Sequence, residues 1–207
     1  MKVKTILNVG VVSTFFVIVG SILMIVMRGA PTRASAMEVP VLGSVPEFSL
    51  TEANGTTLQR ADLLGKVWIA SFLFTRCGEA CPLMMQQEAR LQPDLPLRDD
   101  LRLVSFSVDP EWDTPKVLTE YAHTFGADQS HWLFLTGDKK QVYHLACDGF
   151  HLAAQPADPT KEMPILHSTK LVLVDRGGAI RGYYDSSDPL EMQKLIRDVR
   201  QVLAERS

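Results

Sequence analysis

The first pattern along the chain is an unbroken apolar run. Residues 6–27 carry no charged side chain, and Lys2 and Lys4 stand ahead of them. Those 22 residues are enough to cross a bilayer core as a helix, for which roughly 20 are needed. Ala34-Ser35-Ala36 resembles a signal-peptide cleavage site. The apolar run, however, is longer than a signal core of about 7–15 residues and ends well before that motif. The pattern predicts an uncleaved N-terminal transmembrane helix within residues 1–28. Residues 29–45 are small, Pro-containing and aperiodic, and read as a tether. A single domain is expected over 46–207.

Past the tether the period changes. Short apolar runs at 48–50, 67–74, 101–108, 131–135, 170–175 and 180–184 predict strands, with a turn at Asn54-Gly55. The runs at 67–74 and 101–108 are apolar at most positions, as befits strands buried on both faces. Helical spacing fills the intervals. Thr114-Pro115 starts one helix, with Leu118, Tyr121, Ala122 and Phe125 on one face and Gly126 at its end. Asp188-Pro189 starts another, with Met192, Leu195, Ile196, Val199, Val202 and Leu203 as its stripe. A third, less periodic, is expected over 81–91. Gly177-Gly178 joins the last two strands as a hairpin. The fold class is α/β, a mixed sheet with helices on both sides.

Charge narrows the partners. Four of the 21 basic residues and none of the 24 acids precede Ala34, leaving 17 bases against 24 acids, a net charge of −7, in the remainder. An acidic domain without Lys/Arg clusters is a poor binder of phosphate backbones, so nucleic acid is not an expected partner.

The chemistry centres on Cys77-Gly-Glu-Ala-Cys81-Pro82, where a buried strand gives way to a helix. The first helical turn has free N–H groups and partial positive charge, which favour thiolate over thiol. Pro82 suits that turn, since its missing N–H is no loss there. Two sulfurs four residues apart can close as a disulfide or grip a soft ion, and the spacing alone does not separate these. The third cysteine, Cys147, lies near His144 and His151, but nothing in the pattern forces these three to converge, and packing is the expected role. His123 is expected to be solvated and His131 structural. Met84 and Met85 read as core, with Met163 the one thioether placed to approach a metal.

Three blocks in order, "FLFTRCGEACP", "SFSVDPEWDTP" (105–115) and "HSTKLVLVDRGGAIRGYYD" (167–185), behind a membrane anchor, resemble the Sco/SenC family of copper chaperones. The resemblance implies a thioredoxin-like domain tethered to the inner membrane of a bacterium and facing the periplasm. It implies a copper site made by Cys77, Cys81 and His167, holding Cu(I) or Cu(II). Its implied partners are the cytochrome c oxidase subunit that carries the binuclear copper site and the proteins that donate copper. Delivery would proceed by thiolate exchange rather than by enzymatic turnover. Two other functions compete: a membrane-anchored thiol-disulfide oxidoreductase that reduces the target's cysteines, and a copper or redox sensor. Asp109, Asp113 and Trp112, in the second block, are candidates for supporting the ligands or docking the partner. Gly78 stands where the family commonly has Pro, Trp112 where it usually has a polar residue, and Cys147 is additional.

Overall fold

A computed structural model describes residues 38–78, 80–95, 99–152 and 168–205. The expected transmembrane segment, the Ala34-Ser35-Ala36 motif, Met163 and His167 lie outside the described residues. Among those that are described, no helix is long and apolar enough to cross a membrane. The unit described here begins at Val39.

Its elements are β1 (Gly43–Ser44), β2 (Ser49–Glu52), β3 (Thr57–Gln59), β4 (Val67–Leu73), α1 (Ala80–Asp94), β5 (Leu101–Ser107) and α2 (Pro115–Thr124). They continue with β6 (Trp132–Thr136), α3 (Lys139–His144), β7 (Lys170–Val174), β8 (Ala179–Asp185) and α4 (Pro189–Ala204). A 3₁₀ turn precedes β4, and a π turn, Leu145–Gly149, follows α3. All eight strands join one mixed sheet in the order β1-β8-β7-β4-β5-β6-β2-β3.

Every residue of β4 is buried, which places this strand at the centre. It pairs in parallel with β5 on one edge, Phe72 opposite Phe106, and antiparallel with β7 on the other, Ala70 opposite Val172. Parallel neighbours need crossovers, and α1 and α2 supply those from β4 to β5 and from β5 to β6. The strand's period of two then sorts its side chains into two cores. Val67, Ile69 and Leu73 meet Met84 of α1, Leu118 of α2 and Leu195 of α4. Trp68, Ala70 and Phe72 meet Val142 of α3, Phe48, Leu50 and Phe150. Phe72 stacks on Phe106 at 5.0 Å between centroids, with Phe150 edge-on at 5.2 Å. The predicted mixed α/β arrangement with helices on both faces is therefore observed.

Local signals hold at the element ends. Thr114 Oγ1 accepts the Val117 N–H at 3.4 Å, and Asp188 accepts that of Leu190 at 2.8 Å, each capping the helix its sequence announced. Gly178 takes φ +82° in the β7–β8 turn, a conformation that favours glycine.

The tether is the main difference. Val39 and Val45 are buried, β1 pairs with β8, and the Arg181 guanidinium donates to the Val39 carbonyl at 2.6 Å while also bridging Asp175 and Glu205. Residues 39–45 thus belong to the folded unit. Two residues of Gly-Ser carry no strand signal; the pairing comes from the exposed edge of β8.

Candidate metal centre

β4 and β5 run in parallel and end side by side, so the loops that follow them leave the same edge of the sheet, where sites of open α/β sheets gather. The first loop carries Cys77. The second holds Asp109, Trp112 and Asp113.

The two loops are laced together by polar contacts. Val108 donates its N–H to the Leu73 carbonyl at 2.8 Å. Asp113, fully buried, accepts from the Thr75 N–H at 3.1 Å and from the Thr75 and Ser107 hydroxyls, each at 2.5 Å. Three donors compensate a carboxylate that burial would otherwise penalise. One residue on, Arg76 donates to Asp109 Oδ2 from Nε at 3.0 Å and from Nη2 at 2.5 Å. Its guanidinium lies 4.8 Å from the centre of the Trp112 ring. The turn that presents this ring is closed by Trp112 and Asp113 N–H groups on the Asp109 carbonyl, at 3.0 and 2.9 Å. Both residues immediately before Cys77 are thus strapped to the second loop.

Cys77 and Cys81 are free thiols. Cys77 precedes α1, is half-buried, and its Sγ accepts the Cys81 N–H at 3.4 Å, so it takes one of the open donors at the helix start. Cys81 is only 6% exposed. The expectation that the helix start favours thiolate fails for this residue. Burial pushes the Cys81 thiol up to about 12, with a backbone hydrogen bond at Phe74 working against it and Cys77 and Asp113 adding to the rise. Desolvation outweighs the helix end because the sulfur faces the core side of α1, beside Met84 and Met85.

Asp113 emerges as a strap inside the protein rather than a surface group, while Asp109 and Trp112 hold Arg76. Trp112 remains 52% exposed, so it also borders solvent. Met84 and Met85 are core, as expected. His123 is exposed, and His131 bonds Ser130 and Asp128. His144 pairs with Asp148 at 2.7 Å on the surface. Among the described residues no three His, Cys, Asp or Glu side chains are grouped to hold a metal.

The sequence reading placed Tyr121 on an apolar helix face but missed its buried hydroxyl, and it missed Glu88 altogether. Glu88 is fully buried on α1 and Tyr121 on α2 has a buried hydroxyl; neither has a hydrogen-bond partner for its side-chain oxygens among the described residues. One signal was available for Glu88: positions 81, 84, 85, 88 and 91 form an apolar helical stripe with an acid in it.

The family model described as SCO1/SenC matches residues 42–204. The chain belongs to the SCO1/SenC family. Among its relatives, the SCO1 protein homolog of Bacillus subtilis is 31% identical over 163 residues, covering 78% of this chain and 83% of that protein. The structure of BsSco, described as having a disulfide switch and as a member of the Sco family of cytochrome c oxidase assembly proteins, is 28% identical. It superposes with a TM-score of 0.70 over 82% of this chain and 99% of that one. Yeast Sco1 with copper bound is 25% identical, with a TM-score of 0.60 over 81% of this chain and 97% of that one. All three blocks that carried the resemblance lie within the family match.

Proposed function

We propose that this protein is a membrane-tethered copper metallochaperone that binds one copper ion through Cys77, Cys81 and His167. It passes the ion by thiolate-for-thiolate exchange to the cytochrome c oxidase subunit that bears the binuclear copper site. The observation that carries this reading is the pair of free cysteines, Cys77 on a loop strapped at both preceding residues and Cys81 in the first turn of the helix that follows, at the ligand-binding edge of the sheet. Family membership, the copper-bound yeast relative and the oxidase-assembly role given for BsSco support it. The donor set fits. Thiolates favour Cu(I), and imidazole tolerates both oxidation states. Two thiolates and a neutral imidazole leave a net charge of −1 with Cu(I) and 0 with Cu(II). The register of β7 against β4 runs the start of β7 toward the end of β4 from which the cysteine loop departs. The third ligand, His167, is the one the family resemblance implies, and it precedes this start of β7 in the sequence. The anchor, within residues 1–28, would keep the domain at the periplasmic face of the inner membrane.

The disulfide switch of BsSco favours a second reading, a thiol-disulfide oxidoreductase. Joining the two sulfurs releases two protons and two electrons to an acceptor disulfide, and it withdraws both thiolates from metal binding at once.

Competition titration of the reduced full-length protein with Cu(I) tests the site. Cys81→Ala and His167→Ala are each expected to weaken binding at least about tenfold; unchanged affinity in either sinks the assignment. Turnover in a disulfide-reduction assay alongside poor copper binding would put the oxidoreductase first.

A further inference from the structure

Beneath the cysteine loop lies a carboxyl group that the proposed copper site does not use. Glu88 sits two turns along α1 from Cys81, on the same buried face as Met84, Met85 and Leu91. Leaving a buried polar group unpaired costs about 1–3 kcal/mol, and more if it is charged. An acid in this place therefore calls for a physical account.

The surroundings supply one. From β6, Trp132 donates its indole N–H to Ser105 Oγ at 2.9 Å, and Ser105 Oγ lies 2.8 Å from Ser71 Oγ. An indole N–H only donates. Ser105, having accepted it, is free to give its own proton to Ser71, and the Ser71 proton is then free to face Glu88. Ser71 favours the ionised form of Glu88 without reaching hydrogen-bond geometry. Burial is the larger effect and pushes Glu88 up to about 8, so the group is mainly neutral at pH 7. From α2 comes the unpartnered Tyr121 hydroxyl, whose pKa is raised by burial first, then by Cys81, Cys77, Asp113 and Glu88. Tyr121 thus stands within electrostatic reach of both the sulfurs and Glu88. Burial and the Ser71 hydroxyl act on Glu88 directly, and Tyr121 feels Glu88 as well as Cys77, Cys81 and Asp113.

We infer that Glu88 is the proton-linked partner of the cysteine pair, kept as a neutral acid while the sulfurs carry thiolate charge and released to ionise when they do not. The inference rests on the copper reading above. Two thiolates on Cu(I) hold one net negative charge, which resists a second negative charge in the same core. By linkage, an ionised Glu88 weakens Cu(I) binding by the same factor that Cu(I) hinders its ionisation. Two helical turns are about 10 Å. At that separation and an effective dielectric of about 20, the factor is roughly tenfold.

The test compares the reduced full-length protein with its Glu88→Gln form. Cu(I) affinities, read by competition at pH 6.5 and pH 9, are expected to agree at the lower pH, with the Gln form binding about tenfold tighter at the higher one. A ratio that stays constant with pH, while binding is retained, overturns this inference alone. Loss of Cu(I) binding in both forms at every pH overturns the copper reading along with it. Infrared difference spectra of the unsubstituted protein need no variant. The carboxylic C=O band of Glu88 is expected to vanish as the metal-free protein passes through about pH 8 and to persist to higher pH with Cu(I) bound. A band absent at pH 6.5, or the same titration in both states, overturns the inference.

Discussion

Cys81 and Cys147 are both free thiols beside helices, each with acids and another potential ligand nearby in sequence, yet they occupy opposite kinds of surroundings. Cys81 opens a 15-residue helix, is almost wholly buried, and follows a loop whose Thr75 and Arg76 are pinned to the neighbouring loop. Cys147 lies half-buried in the π turn after a six-residue helix, next to an exposed His144–Asp148 pair. Composition makes the two neighbourhoods look alike. What separates them is convergence: donors around Cys77 and Cys81 are fixed by interior hydrogen bonds, whereas those around Cys147 face water and hold one another only at the surface, where such pairs contribute little.

The bluntest way to break the comparison is to remove the sulfurs. Replacing Cys77 and Cys81 together by Ala is expected to weaken Cu(I) binding by at least about a hundredfold in a competition titration, beyond the range seen when only a supporting residue is lost. Cys147→Ala should leave it within about twofold. A large loss in the Cys147 variant would put a ligand where none is grouped among the described residues.

Next in size is the strap. Asp113→Ala strands the Thr75 N–H and the Thr75 and Ser107 hydroxyls, and should destabilise the protein by about 3 kcal/mol in urea unfolding. Asp148→Ala, at the surface pair, should stay within about 0.5 kcal/mol.

A pH series sharpens the contrast further. Glu88 rises from 4.5 in the unfolded chain to about 8 in the folded one. Its neutral form is fully present in both states below 4.5, and the unfolded chain ionises first as pH rises. Stability is therefore lost between pH 4.5 and about 8. Glu88→Gln should remove that loss, so that its effect on stability is roughly 4 kcal/mol more favourable at pH 8 than at pH 4.5. An equal effect at both pH values would mean that packing, not ionisation, is responsible.

The smallest effect belongs to the exposed ring. Trp112→Ala removes the seat under Arg76 and should cost about 0.5–1 kcal/mol in stability, with Trp112→Phe restoring most of it. Full activity in Trp112→Phe but not Trp112→Ala would identify the ring as a positioning face.

Much of this architecture was legible beforehand. The apolar runs at 67–74 and 101–108, the caps at Thr114 and Asp188 and the Gly177-Gly178 turn each act locally, through periodicity, side-chain capping or backbone freedom, and each forms where the sequence places it. Cys77 and Cys81 were legible for the same reason, since a strand-to-helix junction is a local event. The folding of residues 39–45 was not, because β1 exists only as a partner for β8 and as an acceptor for Arg181. Nor was the state of Cys81. Sequence says that a helix begins there; only the packing of α1 on the sheet decides that the sulfur is dehydrated, and dehydration outweighs the helix end. Asp113 and Glu88 make the same point in opposite senses. Both are buried acids, but Asp113 meets three donors contributed by β5 and the cysteine loop, and Glu88 meets none among the described residues. The sequence by itself determined which residues could carry charge or bind a soft metal. The tertiary structure decided which of them keep their charge, because the energy of a buried group depends on partners from distant strands and helices that no local pattern records.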